Sequence, residues 1–500
     1  MKLTPTPEQQ SAIEVIASDK STGAIVGAEI GAGKTLITVE AGLERFATRW
    51  LIVAPLAVFE NWRDTVAGQT NGLGSVRACG KKKYAGVPTR ELVANLEDFM
   101  SGKPGFYFMG REFWIAQDWH TVEVAGRKKR QQKHAYKKAG VDVLVFDEAH
   151  FGSSRTSKGY KTFMYHPAEY KMAVTGTFFG NDFANAWTLP NAIWGKQVTD
   201  TFALWRARYA STEYSHFTYD KLAVTGEKEP GEWVKTLPNY IYLPGHKGEV
   251  ITEEHFVDLH PSQRKMYDGL DKNYAAKALS GEWLLADLAV TARTRMRQAA
   301  LADIDVREKF IRKDGLLVAK DDVFFPLDGK SAKYDEFLRL LRDHDEQVVA
   351  TLDFAKAGPT FVHWLKRDGI SAALWAGAQL TPDDERMQAK ASFLAGDTRV
   401  LIGVPAAMGT GVDGLQKVCR RMNILSETQN GVERQQLIGR LDRKGQERPV
   451  YVVNIHARDT IDVDITNSLA LKAIENEMIR VDNRRLSDLD WQSNEREESS

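Results

Sequence analysis

"GAIVGAEIGAGKTLITVE", residues 23–40, changes character halfway along. Its first six residues are continuously apolar, as in a parallel strand buried on both faces, and the residues after Gly33 read as the opening of an amphipathic helix. Between them, Gly31, Ala32 and Gly33 form a tight turn whose N–H groups aim at phosphate oxygens. Lys34 has the reach for β and γ phosphates, and the hydroxyl of Thr35 is a ligand suited to magnesium. The opening position of this pattern is Ala28 instead of glycine. A strand before and a helix after supply the context that the bare pattern lacks, so the stretch predicts an α/β fold with an ATP site at a strand end.

Working outward, the same kind of apolar run recurs. "WLIVAP" (50–55), "VDVLVFDE" (141–148) and "MAVTGT" (172–177) complete one group of strands. "QVVATL" (347–352), "VLIGVP" (400–405), "MNILSE" (422–427) and "VYVVNI" (450–455) make a second group. Two α/β blocks follow from this, with parallel sheets and intervening helices. The predicted division is an ATPase lobe over 1–195, a mostly helical insertion over 196–330, a second lobe over 331–475 and a polar tail over 476–500. No repeat of solenoid length is present.

Composition sets the surroundings. Hydrophobic residues make up 43% and charged residues 27% of 500, ordinary for a globular chain, and the formal net charge is zero. A polyanionic partner must therefore be met by a local patch and not by a global field. Cys79 and Cys419 are the only cysteines, too few for a disulfide framework or a cysteine-rich metal site, and they fit a reducing compartment. No secretory signal opens the chain and no run approaches a membrane span, so the expectation is a cytoplasmic protein without a membrane partner. A nuclear signal is open by composition alone.

Further motifs surround the glycine-rich turn. In "VLVFDEAH" (143–150) an apolar strand ends in two carboxylates at the edge of a parallel sheet where ligands bind. Asp147 is placed to hold magnesium through a water, and Glu148 to orient an attacking water. Solvated acids at a polar strand end are the bland reading of "DE" alone. "AVTGTFFGND" puts Thr175, Gly176 and Thr177 at another strand end, as sensors of the acidic pair or as caps of the next helix. Gln9 or Gln10, in "TPEQQSAIEVI", offers an amide to an adenine edge, or is an exposed helix-start glutamine. In "QQLIGRLDRKGQERPV" (435–450), Arg440 and Arg443 stand three apart, on one side of a helix, and Gln436 one turn earlier. A carboxylate, a phosphate or solvent each relieves their repulsion.

In order, "AEIGAGKT", "LIVAPLAVFENW", "DEAH", "TGT", "GTGVDGL" and "QQLIGRLDRKGQ" resemble the motifs of a superfamily-two helicase of the Swi/Snf-type, chromatin-remodeller-like DNA translocase branch. "LHPSQRKMYDGL", "SAKYDEFLRLL" and "RKGQERPVYVVNIHARDTID" are similar to segments of that branch outside the shared motifs, and the resemblance runs to about residue 475. It implies two RecA-like lobes in a minimal form without accessory domains. It also implies Mg-ATP as cofactor and double-stranded DNA as a partner bound without regard to sequence. Gln436, Arg440 and Arg443 would face the nucleotide, the two arginines as fingers for the γ-phosphate. Phe178 stands where the family has proline, Phe151 to Ser154 replace a basic-polar stretch, and Gln429 replaces a tryptophan; no catalytic group is lost.

Movement requires a grip on the track. Pro55 and Asn61 in one loop, and Gly409, Thr410, Gly411 and Asp413 in another, lie at strand ends where backbone N–H groups meet phosphates, the second loop also coupling grip to nucleotide. "GRKKRQQKHAYKK" carries Arg127, Lys128, Lys129 and Arg130, then Lys133, Lys137 and Lys138. It is a DNA-facing patch or a solvated helix. The expected activity is ATP-driven translocation on duplex DNA. The alternatives are a strand-separating or branch-migrating helicase and, outside enzymes, a nucleotide-gated DNA-binding scaffold.

Overall fold

The computed structural model of the protein describes residues 2–29, 31–81, 86–116, 118–124, 127–133, 139–152, 154–176, 178, 183–214, 222–229, 231–245, 248–273, 275–277, 283–285, 289–313, 316–377, 380–412 and 414–466. Residues up to 246 form one unit, and residues 247–474 another.

The first unit is built on β1 (Gly23–Ala28), β2 (Arg49–Ala54), β3 (Val76–Cys79), β4 (Gly105–Gly110), β5 (Val141–Asp147), β6 (Ala168–Thr175) and β7 (Tyr240–Leu243). These run in the order β7-β1-β6-β5-β2-β4-β3, every neighbouring pair parallel. Alternate residues of one strand enter different cores. Ile25 packs with Leu51, Leu144 and Ala173 on one face, whereas Val26 packs with Ile52, Val145 and Val174 on the other. This two-sided burial is the reason the strands read as unbroken apolar runs. Helix α1 (Pro7–Ser18) begins with proline at its first position and a reciprocal cap between Thr6 and Gln9. Helix α2 (Lys34–Glu44) starts from Gly33 with no side-chain cap, and α3 (Phe59–Gln69) follows the turn after β2.

The second unit repeats the plan with β8 (Val250–Val257), β9 (Val348–Thr351), β10 (Ala372–Trp375), β11 (Val400–Gly403), β12 (Arg421–Ile424) and β13 (Val450–Ala457). Their order is β8-β13-β12-β9-β11-β10, again all parallel. Val348 and Ala350 enter one core and Val349 the other. Helices α4 (Ala332–Arg342), α5 (Pro405–Gly411) and α6 (Gly431–Ile438) matter below. The start of α4 is pinned by Lys333, whose Nζ lies 2.6 Å from Asp462 and donates to the carbonyl of Leu425 at 2.9 Å, all out of solvent.

The two expected α/β blocks with parallel sheets are therefore present. The segment 196–330 differs from the expectation of a mostly helical insertion. Helices Phe202–Tyr209, Pro261–Asn273 and Ala289–Leu301 alternate there with antiparallel strand pairs, 210–214 with 222–227 and 305–313 with 316–324. The same stretch supplies β7 to the first sheet and β8 to the second. The basic cluster is not a helix either. Residues 127–133 form a strand paired antiparallel with 118–124, whose "TVEV" is rich in β-branched residues. Lys137 and Lys138 lie outside the described residues.

Both cysteines are buried, and loss of solvent pushes each thiol up to about 12. Among the described residues no helix is long and apolar enough to cross a membrane.

Candidate nucleotide site

The carboxyl ends of β1, β6, β5 and β2 lie side by side, and the motifs of the first unit leave the sheet there. In an open parallel sheet this edge is where ligands bind. Gly31 and Gly33 hold φ of +83° and +86°, in the left-handed region that favours glycine, and a Cβ on Gly31 would meet only open space. The loop is thus a backbone cradle leading to the uncapped N–H groups of α2, the arrangement that receives phosphate. Nζ of Lys34 folds over this cradle and donates to the carbonyl oxygens of Ala28 at 2.9 Å and Glu29 at 3.3 Å.

Two other groups brace the loop. Glu29 accepts from the hydroxyl of Tyr242 at 2.7 Å and from the N–H of Gly245 at 2.9 Å, which ties the loop to β7. Gln9 donates through Nε2 to the carbonyl of Ala32 at 2.8 Å and accepts through Oε1 from the N–H of Thr6 at 2.9 Å. Both ends of its amide are engaged, so in this structure Gln9 supports the glycine-rich loop. Gln10 bonds Glu14 on the exposed side of α1.

The acidic pair is held with equal care. Asp147 is buried; its Oδ2 accepts from the indole N–H of Trp62 at 3.0 Å and its Oδ1 from the N–H of Glu148 at 2.9 Å. Burial, then the Glu148 carboxylate, push the Asp147 carboxyl above the ordinary range, while Trp62 and Lys34 pull it back. Glu148 adopts φ of +51°, a left-handed backbone uncommon for a residue with a side chain. Such outliers cost about 1–3 kcal/mol and cluster at functional sites. His150 stands between the motifs: its Nδ1 is 3.3 Å from Glu148 Oε2 and 3.3 Å from Thr175 Oγ1. Thr175 is fully buried, and a Cβ on Gly176 would lie 3.7 Å from Lys34 Nζ. Lys34, the acidic pair and the threonine strand end thus meet in one place. Thr177 lies outside the described residues, and Phe178 is buried against Tyr240 with ring centroids 5.2 Å apart.

Asn61, expected on the DNA side, donates through Nδ2 to Thr35 Oγ1 at 2.9 Å. It therefore sits at the hydroxyl read as a magnesium ligand, whereas Pro55 caps the half-exposed turn before α3. A hydroxyl and a carboxylate are hard oxygen ligands, and Mg2+ is commonly held by one or two carboxylates with water and phosphate oxygens. Thr35 and Asp147 fit that cation. For Arg127, Lys128, Lys129 and Arg130 the strand pairing is the structural finding.

In the second unit, α6 ends at Ile438, and three-residue backbone bonds from Arg440 to Leu437 and from Leu441 to Ile438 tighten the chain into turns. Arg440 and Arg443 are consequently not on a continuing helix face. Arg440 donates to the carbonyls of Gly409 and, at 3.4 Å, Val412, so it joins the two glycine-containing motifs of this unit. Gln436 is buried, and a Cβ on Gly409 would lie 3.2 Å from its Oε1. Thr410 and Gly411 belong to α5, Asp413 lies outside the described residues, and Arg443 is half-buried.

Trp62, His150 and Glu29 were not singled out from sequence. A tryptophan in an amphipathic helix reads as core, and only the structure reveals that its one polar atom meets the buried acid. The histidine lay within the quoted "DEAH", where its spacing to Thr175 is invisible.

A family model described as the SNF2-related domain matches residues 8–282. An uncharacterised ATP-dependent helicase of Bacillus subtilis is 20% identical, over 93% of this chain and 78% of that protein. The chromodomain-helicase-DNA-binding protein 1-like of Danio rerio is 23% identical over 88% of this chain; the match spans 40% of that longer protein. The Sulfolobus solfataricus SWI2/SNF2 ATPase core in complex with dsDNA aligns over 96% of this chain and 93% of its own, at 15% identity and a TM-score of 0.38. That superposition is too loose to bear on individual residues.

Proposed function

Because the chain belongs to the SNF2-related family, and is therefore an ATPase of helicase superfamily two, we propose that it is a translocase on double-stranded DNA, turning ATP hydrolysis into movement along the phosphate backbone. The observation that carries the reading is the meeting of Lys34, the Asp147–Glu148 pair and Thr175 at adjoining strand ends of one sheet.

In this reading the Lys34 ammonium exchanges its bonds to the Ala28 and Glu29 carbonyls for β and γ phosphate oxygens. Thr35 and Asp147 would hold Mg2+, which would supply positive charge against the phosphates. Glu148 orients the attacking water, and its carboxylate is kept near His150, hence near Thr175. The strand end carrying Thr175 then responds to the state of the γ-phosphate through one histidine. Arg443 is assigned to the γ-phosphate charge as it develops, and Arg440 bonds carbonyls of its own unit. Grip on DNA is assigned to backbone N–H groups and to the basic hairpin, which read phosphates and no base sequence.

The test is the ATPase rate titrated with matched duplex and single-stranded DNA at fixed salt. Duplex is expected to stimulate more. Stimulation by single strands alone, with efficient opening of a forked duplex, would favour the strand-separating alternative.

A further inference from the structure

The first turn of α3 touches the nucleotide site twice, through neighbouring residues. Asn61 donates to the hydroxyl of Thr35 at 2.9 Å, and Trp62 donates to the carboxylate of Asp147 at 3.0 Å. These two acceptors are the pair that would hold the divalent cation. A threonine hydroxyl has two lone pairs, and the amide of Asn61 occupies one, which leaves the other for a metal. An indole N–H only donates, so Trp62 fixes one carboxylate oxygen without adding a competing ligand or a charge. With the Glu148 N–H on the other oxygen, both Asp147 oxygens have one bond apiece and a lone pair still available. The Trp62 ring is fully buried, so the helix cannot shift without carrying the donor along.

We propose that Asn61 and Trp62 are positioning residues of the cation half of the site, with the first turn of α3 setting the Thr35 hydroxyl and the Asp147 carboxylate for Mg2+. The inference rests on the nucleotide reading above. Neither residue touches phosphate in this role; each acts through the ligand that it orients. It follows that nucleotide affinity without metal is independent of them, while the gain in affinity on adding Mg2+ depends on both.

The experiment measures the affinity of a fluorescent ADP, first in EDTA and then across a Mg2+ titration, for wild type, Trp62→Phe and Asn61→Ala. Phenylalanine keeps most of the buried ring and removes the N–H; Asn61 is exposed, so its variant folds even where Trp62→Phe does not. The expected result is an unchanged affinity in EDTA and a Mg2+ midpoint raised about tenfold in each variant, the scale of one hydrogen bond to a charged or metal-facing group. Mn2+ followed by electron paramagnetic resonance in the presence of ADP should give the same ranking. Folded variants with the wild-type midpoint would overturn the proposal and leave the nucleotide reading standing. A wild-type protein that binds no nucleotide would overturn both.

Discussion

Lys34 and Glu148 should fail differently. Lys34→Ala removes the ammonium folded over the cradle, so nucleotide affinity is expected to collapse together with turnover. Glu148→Gln keeps size and polarity and is expected to bind ATP normally while losing hydrolysis, as single-turnover rates beside equilibrium binding would reveal. Turnover near wild type in Glu148→Gln would remove it from the role of water-orienting base. Arg443→Ala should leave affinity nearly intact and slow hydrolysis on the order of 10³-fold, the scale at which such arginines act on phosphoryl transfer. Arg440→Ala should instead lower the melting temperature, because its guanidinium bonds the Gly409 and Val412 carbonyls of its own unit. If Arg440→Ala melts like wild type and loses turnover, the assignment of the two arginines must be exchanged.

At the level of elements, the buried contact between Lys333 and Asp462 anchors α4 in the second unit. Lys333→Ala leaves the Asp462 carboxylate buried beside an apolar methyl and is expected to cost about 3–5 kcal/mol in denaturant unfolding. Lys333→Met combined with Asp462→Leu should cost less than Lys333→Ala alone, since no charge is then stranded. The basic hairpin gives a second test. Changing Lys128, Lys129 and Arg130 to glutamate should weaken DNA binding at every sequence and flatten its salt dependence, read as the slope of affinity against salt. Strands buried on both faces were legible in the sequence because their pattern needs no partner to be recognised: β1, β2, β5, β6, β9, β11, β12 and β13 all lie on the expected runs. Strands interrupted by charge or half-exposed were not. β3, "VRAC", carries Arg77 between its apolar residues, and β8, "VITEEHFV", exposes most of its length at a sheet edge, where polar residues hide the alternation. Among site residues, the glycine loop and the acidic pair followed from local spacing. The contacts of Asn61 with Thr35 and of Trp62 with Asp147 join residues 26 and 85 positions apart, a separation that no local pattern encodes.

For the molecule as a whole, a motor that follows a duplex should displace the third strand of a triplex in the presence of ATP and leave a forked duplex mostly paired. On the proposed grip through phosphates, its rate should change little with base sequence at fixed salt. Following such motion calls for reporters attached at chosen points, and the burial of Cys79 and Cys419 makes them easy to install. Both side chains stay protonated and shielded, so a maleimide dye should ignore them; Ellman's reagent should find almost no reactive thiol in the native protein and both after denaturation. A serine-to-cysteine change on the surface of each unit then yields a doubly labelled motor without first replacing native residues. Single-molecule energy transfer could follow it through successive turnovers on one strand of track.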